Sequence, residues 1–191
     1  MEGADMLQTM KKTHEESIKN MYYKEIAYQD ALTKLKNRVA FNDEVEAIAS
    51  GKRKFGKMIC VSVDVNGLKI VNDTMGHLAG DVLIKETAGF LNRYFSACSS
   101  IYRIGGDEFF LFVYERDEEE VKAVFRVLRA DVAVYNKTSS VPVWFAIGYS
   151  PYDGSHLERC IYHADANMYK CKESMRSEQY APRSVPAMPP A

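Results

Sequence analysis

The stretch Met58-Ile59-Cys60-Val61-Ser62-Val63-Asp64-Val65, followed by Asn66-Gly67, decides the kind of fold. It is a nearly continuous apolar run rich in β-branched residues. A strand wetted on one side alternates apolar and polar side chains, whereas an unbroken run marks a strand buried on both faces. The run ends in an acid and then an Asn-Gly turn. A carboxylate therefore stands at the carboxyl end of a buried strand, where the ligand sites of such sheets gather.

Moving outward, a helix is expected from near Leu68, a break between Asn72 and Gly80, and a second helix from Asp81 to about Phe95. Ile101 to Ile104 and Phe109 to Tyr114 read as two strands joined by Gly105-Gly106-Asp107-Glu108, a hairpin. Glu118 to Tyr135 reads as a helix with Val121, Val124, Phe125 and Leu128 on its apolar face. Val141 to Ser150 reads as a strand, and His156 to about Arg176 as the last helix. Upstream, Val39 to Ser50 reads as a helix and Gly51 to Lys57 as a basic loop. Strands and helices mix in an α+β order, a sheet backed by helices on one or both faces.

Asp5 to Asp30 contains neither glycine nor proline and reads as a helix. Its apolar positions Leu7, Met10, Ile18, Met21, Tyr28 and Leu32, with His14 and Glu25 added, fall at steps of three and four with one doubled step. That spacing suits a short coiled coil with a stutter, or a lone amphipathic helix packed on its own domain. Ala181 to Ala191 holds four of the six prolines and is expected to be disordered. The expected organisation is a helix over 1–29, a domain over 30–177 and a proline-rich tail over 178–191.

The chain has 191 residues, 47% hydrophobic, with a formal net charge of -1. That balance argues against a generic nucleic-acid or membrane binder, which carries a basic excess. The cysteines, Cys60, Cys98, Cys160 and Cys171, form no C-x-x-C pair and read as reduced thiols. No apolar run approaches the ~20 residues that span a bilayer, and Met1 to Lys12 has no signal-peptide core. The expected location is the cytoplasm, alone or as the cytoplasmic part of a larger signalling protein.

The chemistry gathers at four places. Asp64, ending a buried strand, must be solvated, paired or bound to a metal. Asp107 and Glu108 are adjacent acids at a hairpin tip, which hairpin stability does not require; with Asp64 they would make an oxygen cluster suited to Mg²⁺. Lys69 follows Asp64 closely enough to neutralise phosphate charge. Asn72 and Asp81 could hold a turn and cap a helix, or read a base: guanine offers N1–H and N2–H₂ donors that a carboxylate accepts, and adenine does not. Lys172 and Arg176 are four apart on a helix and share a face, as an anion clamp would.

Arg103-Ile104-Gly105-Gly106-Asp107-Glu108-Phe109 resembles the signature of the GGDEF family of diguanylate cyclases. The resemblance runs from Asp30 to about Arg176. It includes the opening segment Asp30 to Arg38, the stretch Asp64 to Asp81, which is similar to the family's D-x-D/N-x-x-K-x-x-N-D…G-H…G-D, and the helix Ala164 to Lys172. It implies a central, mostly antiparallel sheet flanked by helices, the palm-like fold shared with adenylyl cyclases. It implies Mg²⁺, with Mn²⁺ as a substitute and two ions per site, held by the side chains of Asp64 and Asp107 and the carbonyl of Val65. Asp107 would accept the 3′-hydroxyl proton, Glu108 would assist, and Lys69 would stabilise charge in the transition state. Asn72, His77 and Asp81 would hold the nucleoside of GTP. Lys172 and Arg176 would grip the terminal phosphates with the backbone of Gly67 and Leu68. Two GTP-loaded domains would face each other in a homodimer, with an upstream sensor or regulatory domain in a longer parent protein.

Some positions depart from the family pattern. Met175-Arg176-Ser177 stands where Gly-Arg-Asn is usual, Asn66 replaces a second aspartate, and Ser96 and Ser99 occupy the places of the product-inhibition motif R-x-x-D. A GTP- or partner-binding domain without turnover is the main rival. A purely structural domain would leave four ordered motifs unexplained.

Overall fold

The computed structural model describes residues 26–180, and the side chains of 26–176. The expected helix over 1–29 and tail over 178–191 therefore lie largely outside the described residues. Four strands form one sheet: β1 (Met58–Val65), β2 (Ser99–Arg103), β3 (Glu108–Tyr114) and β4 (Phe145–Tyr152). The spatial order is β2-β3-β1-β4, and every neighbouring pair is antiparallel. Among the described residues five full helices accompany it: α1 (Arg38–Ala49), α2 (Leu68–Met75), α3 (His77–Phe95), α4 (Glu118–Tyr135) and α5 (Leu157–Tyr180). The fold is α+β.

All eight residues of β1 are buried, as the unbroken apolar run predicts. Side chains alternate between the two faces of the sheet, and the core divides accordingly. Ile59, Val61, Val63 and Val65 join Phe109, Leu111 and Val113 of β3 under α3 and α4. Met58 and Cys60 join Phe110 and Phe112 of β3 on the other face, with Phe41 of α1 and Leu157, Cys160 and Ala164 of α5. Asp64 is in phase with Met58 and Cys60, so its side chain belongs to the α5 face.

Local signals set the helix ends. Asn37 caps α1, its side chain accepting from Ala40 N at 3.1 Å. Asp117 and Glu120 close a capping box at the start of α4, with three acids in its first turn. Gly67 has φ +77° and Gly76 has φ +85°, left-handed values that suit glycine, and the two bracket α2.

Some boundaries differ from expectation. α3 begins at His77 rather than Asp81, because Gly76 alone makes the break. Asp81 therefore lies inside the helix and does not cap it. β4 begins at Phe145 rather than Val141: the Asn136 side chain takes the Val143 N–H and donates to the Val143 carbonyl, both at 2.8 Å, and Pro142 has no N–H for a ladder. β2 begins two residues earlier than expected, and α5 runs on to Tyr180. Cys60, read as a core thiol, is fully buried, and among the described residues all four cysteines are free. No helix of the described residues is long and apolar enough to cross a membrane.

Candidate active site

The end of β1 meets the start of α2, the β2–β3 hairpin tip and the far end of α5. These elements enclose a cavity of about 730 Å³, within the size range of small-ligand sites. Among the expected site residues, Val65, Gly67, Leu68, Lys69, Asp107, Lys172 and Arg176 line it.

Asp64 sits just beneath, 6% exposed. Lys172 Nζ meets Asp64 Oδ1 at 2.6 Å as an ion pair, so the ammonium is the partner of this buried carboxylate. Burial pushes the Asp64 carboxyl above its ordinary range; Lys172 pulls it back, and the neighbouring negative charge of Asp107 raises it again. Asn66 Oδ1, at the cavity wall, is a buried oxygen without a hydrogen-bond partner.

The hairpin tip is fastened to β1. The Val65 N–H donates to the Asp107 carbonyl at 2.9 Å, and Glu108 pairs in register with Asp64. Glu108 is exposed and its carboxylate folds back over Gly105: a Cβ there would meet Glu108 Oε2 at 2.3 Å. A side chain at 105 would therefore displace the Glu108 carboxylate.

Asn72, His77 and Asp81 are not among the lining residues of this cavity. They stand on the α2–α3 pair beside it. The Asn72 side chain lies on Gly80, where a Cβ would come within 2.0 Å of its Oδ1. His77 and Asp81 are exposed. The structure brings the anion-gripping residues and Asp107 to one cavity, leaves Asp64 and Glu108 outside its lining, and leaves the proposed base readers on the neighbouring helix pair. Lys172, expected at the phosphates, here neutralises Asp64.

The oxygen donors fit a hard cation: a buried carboxylate whose negative charge is balanced by the Lys172 ammonium, a second carboxylate close by, and an orphaned amide oxygen. Among the described residues no three His, Cys, Asp or Glu side chains gather as a metal cage. Two carboxylates completed by substrate oxygens is the pattern of Mg²⁺, which keeps waters and phosphates in its shell.

Pro142, Trp144, Met175, Ile70 and Val71 also line the cavity, and none was expected there from the sequence. Trp144 is the sole tryptophan and is half exposed, a signal that could have marked it. Met175 lies between Lys172 and Arg176 on α5 and accepts from Asn66 Nδ2 at 3.5 Å. Reasoning also assigned nothing to Arg103, whose Nη2 donates to the Gly106 carbonyl at 2.8 Å.

The family model described as "Diguanylate cyclase, GGDEF domain" matches residues 27–178. The chain is 32% identical over 158 residues to the bifunctional diguanylate cyclase/cyclic di-GMP phosphodiesterase MucR of Pseudomonas aeruginosa, covering 80% of this chain and 23% of that protein. It is 29% identical over 155 residues to the diguanylate cyclase DgcP of the same species, covering 78% of this chain and 23% of that protein. The chain thus spans about a quarter of the length of these curated relatives. In fold it is similar to the coiled coil and GGDEF domain of DgcB from Caulobacter crescentus, solved in complex with c-di-GMP. That match has a TM-score of 0.75 at 24% identity and covers 90% of this chain and 94% of that one.

Proposed function

The chain belongs to the GGDEF family of diguanylate cyclase domains, and from that membership we propose that it condenses two GTP molecules into cyclic di-GMP with release of two pyrophosphates. The observation that carries the reading is the convergence of Asp107, Lys172 and Arg176 with the N-terminus of α2 at one cavity, with buried Asp64 ion-paired to Lys172. A helix N-terminus offers unpaired N–H groups and a positive partial charge, so the backbone at Gly67 and Leu68 suits phosphate oxygens. Lys69, Lys172 and Arg176 add cationic charge around the same space.

Asp64, Asp107 and the Val65 carbonyl would hold Mg²⁺, with Mn²⁺ as a substitute and two ions per site. When bound, the cation supplies Lewis-acid polarisation of the α-phosphate and neutralises charge on the departing pyrophosphate. Asp107 accepts the proton of the attacking 3′-hydroxyl, and Glu108 assists from the adjoining position. Lys172, paired with Asp64 here, would grip the terminal phosphates where Asp64 holds a cation, and Arg176 would grip them from one turn further along α5. Asn72, His77 and Asp81 hold the nucleoside on the α2–α3 ridge, Asp81 accepting from the guanine edge.

One domain holds one GTP and cannot close the ring alone, so activity requires a homodimer with the two sites facing each other. The segment over 1–29 is proposed to support that pairing and to receive the signal of an upstream regulatory domain. The proposed location is the cytoplasm, where GTP is found.

The test incubates the purified chain with GTP and Mg²⁺, with and without a chelator, and identifies products by chromatography and mass. Cyclic di-GMP that forms only with the cation is expected, with specific activity rising as protein is concentrated. Failure to form product at any concentration would overturn the reading.

A further inference from the structure

The catalytic hairpin is held from a side on which the proposed reaction makes no claim. Arg103 ends β2, and its guanidinium reaches in two directions. Nη2 donates to the Gly106 carbonyl at 2.8 Å, the peptide next to Asp107. Nη1 donates to both carboxylate oxygens of Asp30, at 3.2 and 3.3 Å. The pair is sheltered, with the side chains 16% and 20% exposed. Charge-assisted bonds of this kind are roughly twice as strong as neutral ones, and the planar fork is what lets one side chain serve both acceptors.

Asp30 is itself locked. Its Oδ1 accepts from Thr33 N at 2.8 Å and Thr33 Oγ1 at 2.7 Å. Partial burial raises its pKa, but the Thr33 bonds and Arg103 outweigh that and hold the carboxyl below its ordinary range. The surrounding segment is fastened to β2: Lys36 N donates to Ile101 O at 3.2 Å, and Arg103 N donates to Lys36 O at 2.8 Å. Asn37 Nδ2 donates to Ala27 O at 2.7 Å, tying the segment to the end of the preceding helical turn.

The hairpin tip needs such support. Gly105 and Gly106 bring no side chains to pack, and glycine pairs lose much conformational freedom when ordered. The Asp107 peptide is pinned by Val65 N on one side. Arg103 pins the peptide before it. The two anchors together fix the carboxylate that must meet a 3′-hydroxyl.

We propose that Asp30 and Arg103 are positioning residues for Asp107, so that the order of the catalytic hairpin depends on how the segment over 27–37 is seated. The proposal rests on the cyclase reading for its kinetic consequence. It supplies a route for regulation: displacing the segment over 27–37 pulls Asp30 away from Arg103 and frees Gly106, without a change at Lys172 or Arg176.

The experiment uses the full chain and the variants Arg103→Ala, Arg103→Lys, Asp30→Asn and Asp30→Asn/Arg103→Ala. In Arg103→Ala, kcat is expected to fall on the order of tenfold to a hundredfold, as for a misplacement near 1 Å, with KM for GTP almost unchanged. Arg103→Lys keeps the charge and loses the fork, and is expected to lose most of kcat as well. The double variant is expected to fall no further than Arg103→Ala, since both residues act through one contact. Hydrogen exchange, read without substrate or metal, is expected to quicken at the amides of Val65, Ile104 and Gly105 while the central amides of β1 and β3 keep their protection. Undiminished kcat in folded Arg103→Ala or Arg103→Lys overturns the proposal. So do additive losses in the double variant, or exchange that quickens throughout the sheet, which would make Arg103 a stability residue. If the wild type makes no cyclic di-GMP the cyclase reading fails, and the exchange pattern still decides whether Arg103 orders the hairpin.

Discussion

Gly148→Ala should cripple the site from a position that touches no substrate. Gly148 lies on β4 opposite Ser62 of β1, directly beneath α5. A Cβ there would stand 2.0 Å from Met168 N and 2.1 Å from Ala164 O, and ordinary contact begins near 3.4 Å. The helix must therefore retreat by more than about 1 Å, because both obstacles are backbone atoms that no rotamer change can move. Lys172 is one turn beyond Met168 on the same helix, and its ammonium is 2.6 Å from Asp64. A shift of that size breaks the ion pair and carries Lys172 and Arg176 off their positions. Overpacking of a close contact costs about 1–3 kcal/mol, which lowers the melting temperature by roughly 2–12 °C for a domain of this size. Misplacing the phosphate clamp by about 1 Å should cost on the order of a hundredfold in kcat/KM. Circular-dichroism melting and a cyclic di-GMP assay read the two effects. Gly89→Ala is the control: glycine in α3 with nothing within 4 Å of its Cβ, it should gain stability by about 0.5–1 kcal/mol and keep its activity. A Gly148→Ala protein that melts within about 1 °C of wild type and keeps kcat/KM within about twofold would refute the argument that this contact seats α5.

Asp107→Ala should leave the circular-dichroism spectrum intact and reduce product formation on the order of a thousandfold, several kcal/mol of barrier; near-normal synthesis by the folded variant would remove the proposed centre. Gly80→Ala should displace the Asn72 side chain from its seat and raise KM for GTP on the order of tenfold; steady-state kinetics beside Asn72→Ala should give matching shifts, and an unchanged KM would detach Asn72 from substrate. Asp153, ahead of α5, accepts from Ser155 N and Ser155 Oγ at 2.8 Å and from His156 N at 3.3 Å, and those bonds hold its pKa down to about 2 from an ordinary 3.8. A depressed carboxyl stabilises the fold above its unfolded pKa and loses that contribution as pH falls from about 4 towards about 2. Asp153→Asn should flatten stability over that window in acid melts, and unaltered acid sensitivity would contradict the assignment.

The sequence alone carried the fold class and most of the element order. The unbroken run over β1 requires cover on both faces, and the two-faced core follows from it. The capping box at Asp117 and Glu120 and the Gly105-Gly106 tip are local signals, so α4 and the hairpin tip fell where expected. Errors came at boundaries where tertiary contacts compete with local preference. Asn136 occupies the backbone groups of Val143 and delays β4, and a single glycine at 76 lets α3 start a turn early.

Motif spacing also named the acids and cations of the site, because carboxylates at a strand end and a hairpin tip, and a Lys–Arg pair at helical spacing, are one-dimensional patterns. Pairing was not legible. Lys172 meets Asp64 across 108 positions of chain only because Gly148 lets α5 lie close on β4. Arg103 reaches Asp30 and Gly106 only because the segment over 27–37 runs beside β2. Trp144 and Met175 enter the cavity wall from β4's approach and from α5, with no motif to mark them. Residue type and spacing determine which chemistry a chain can carry. Which side chains share a solvent-poor volume, and therefore which charges cancel and which oxygens go without partners, depends on long-range packing that no local pattern encodes.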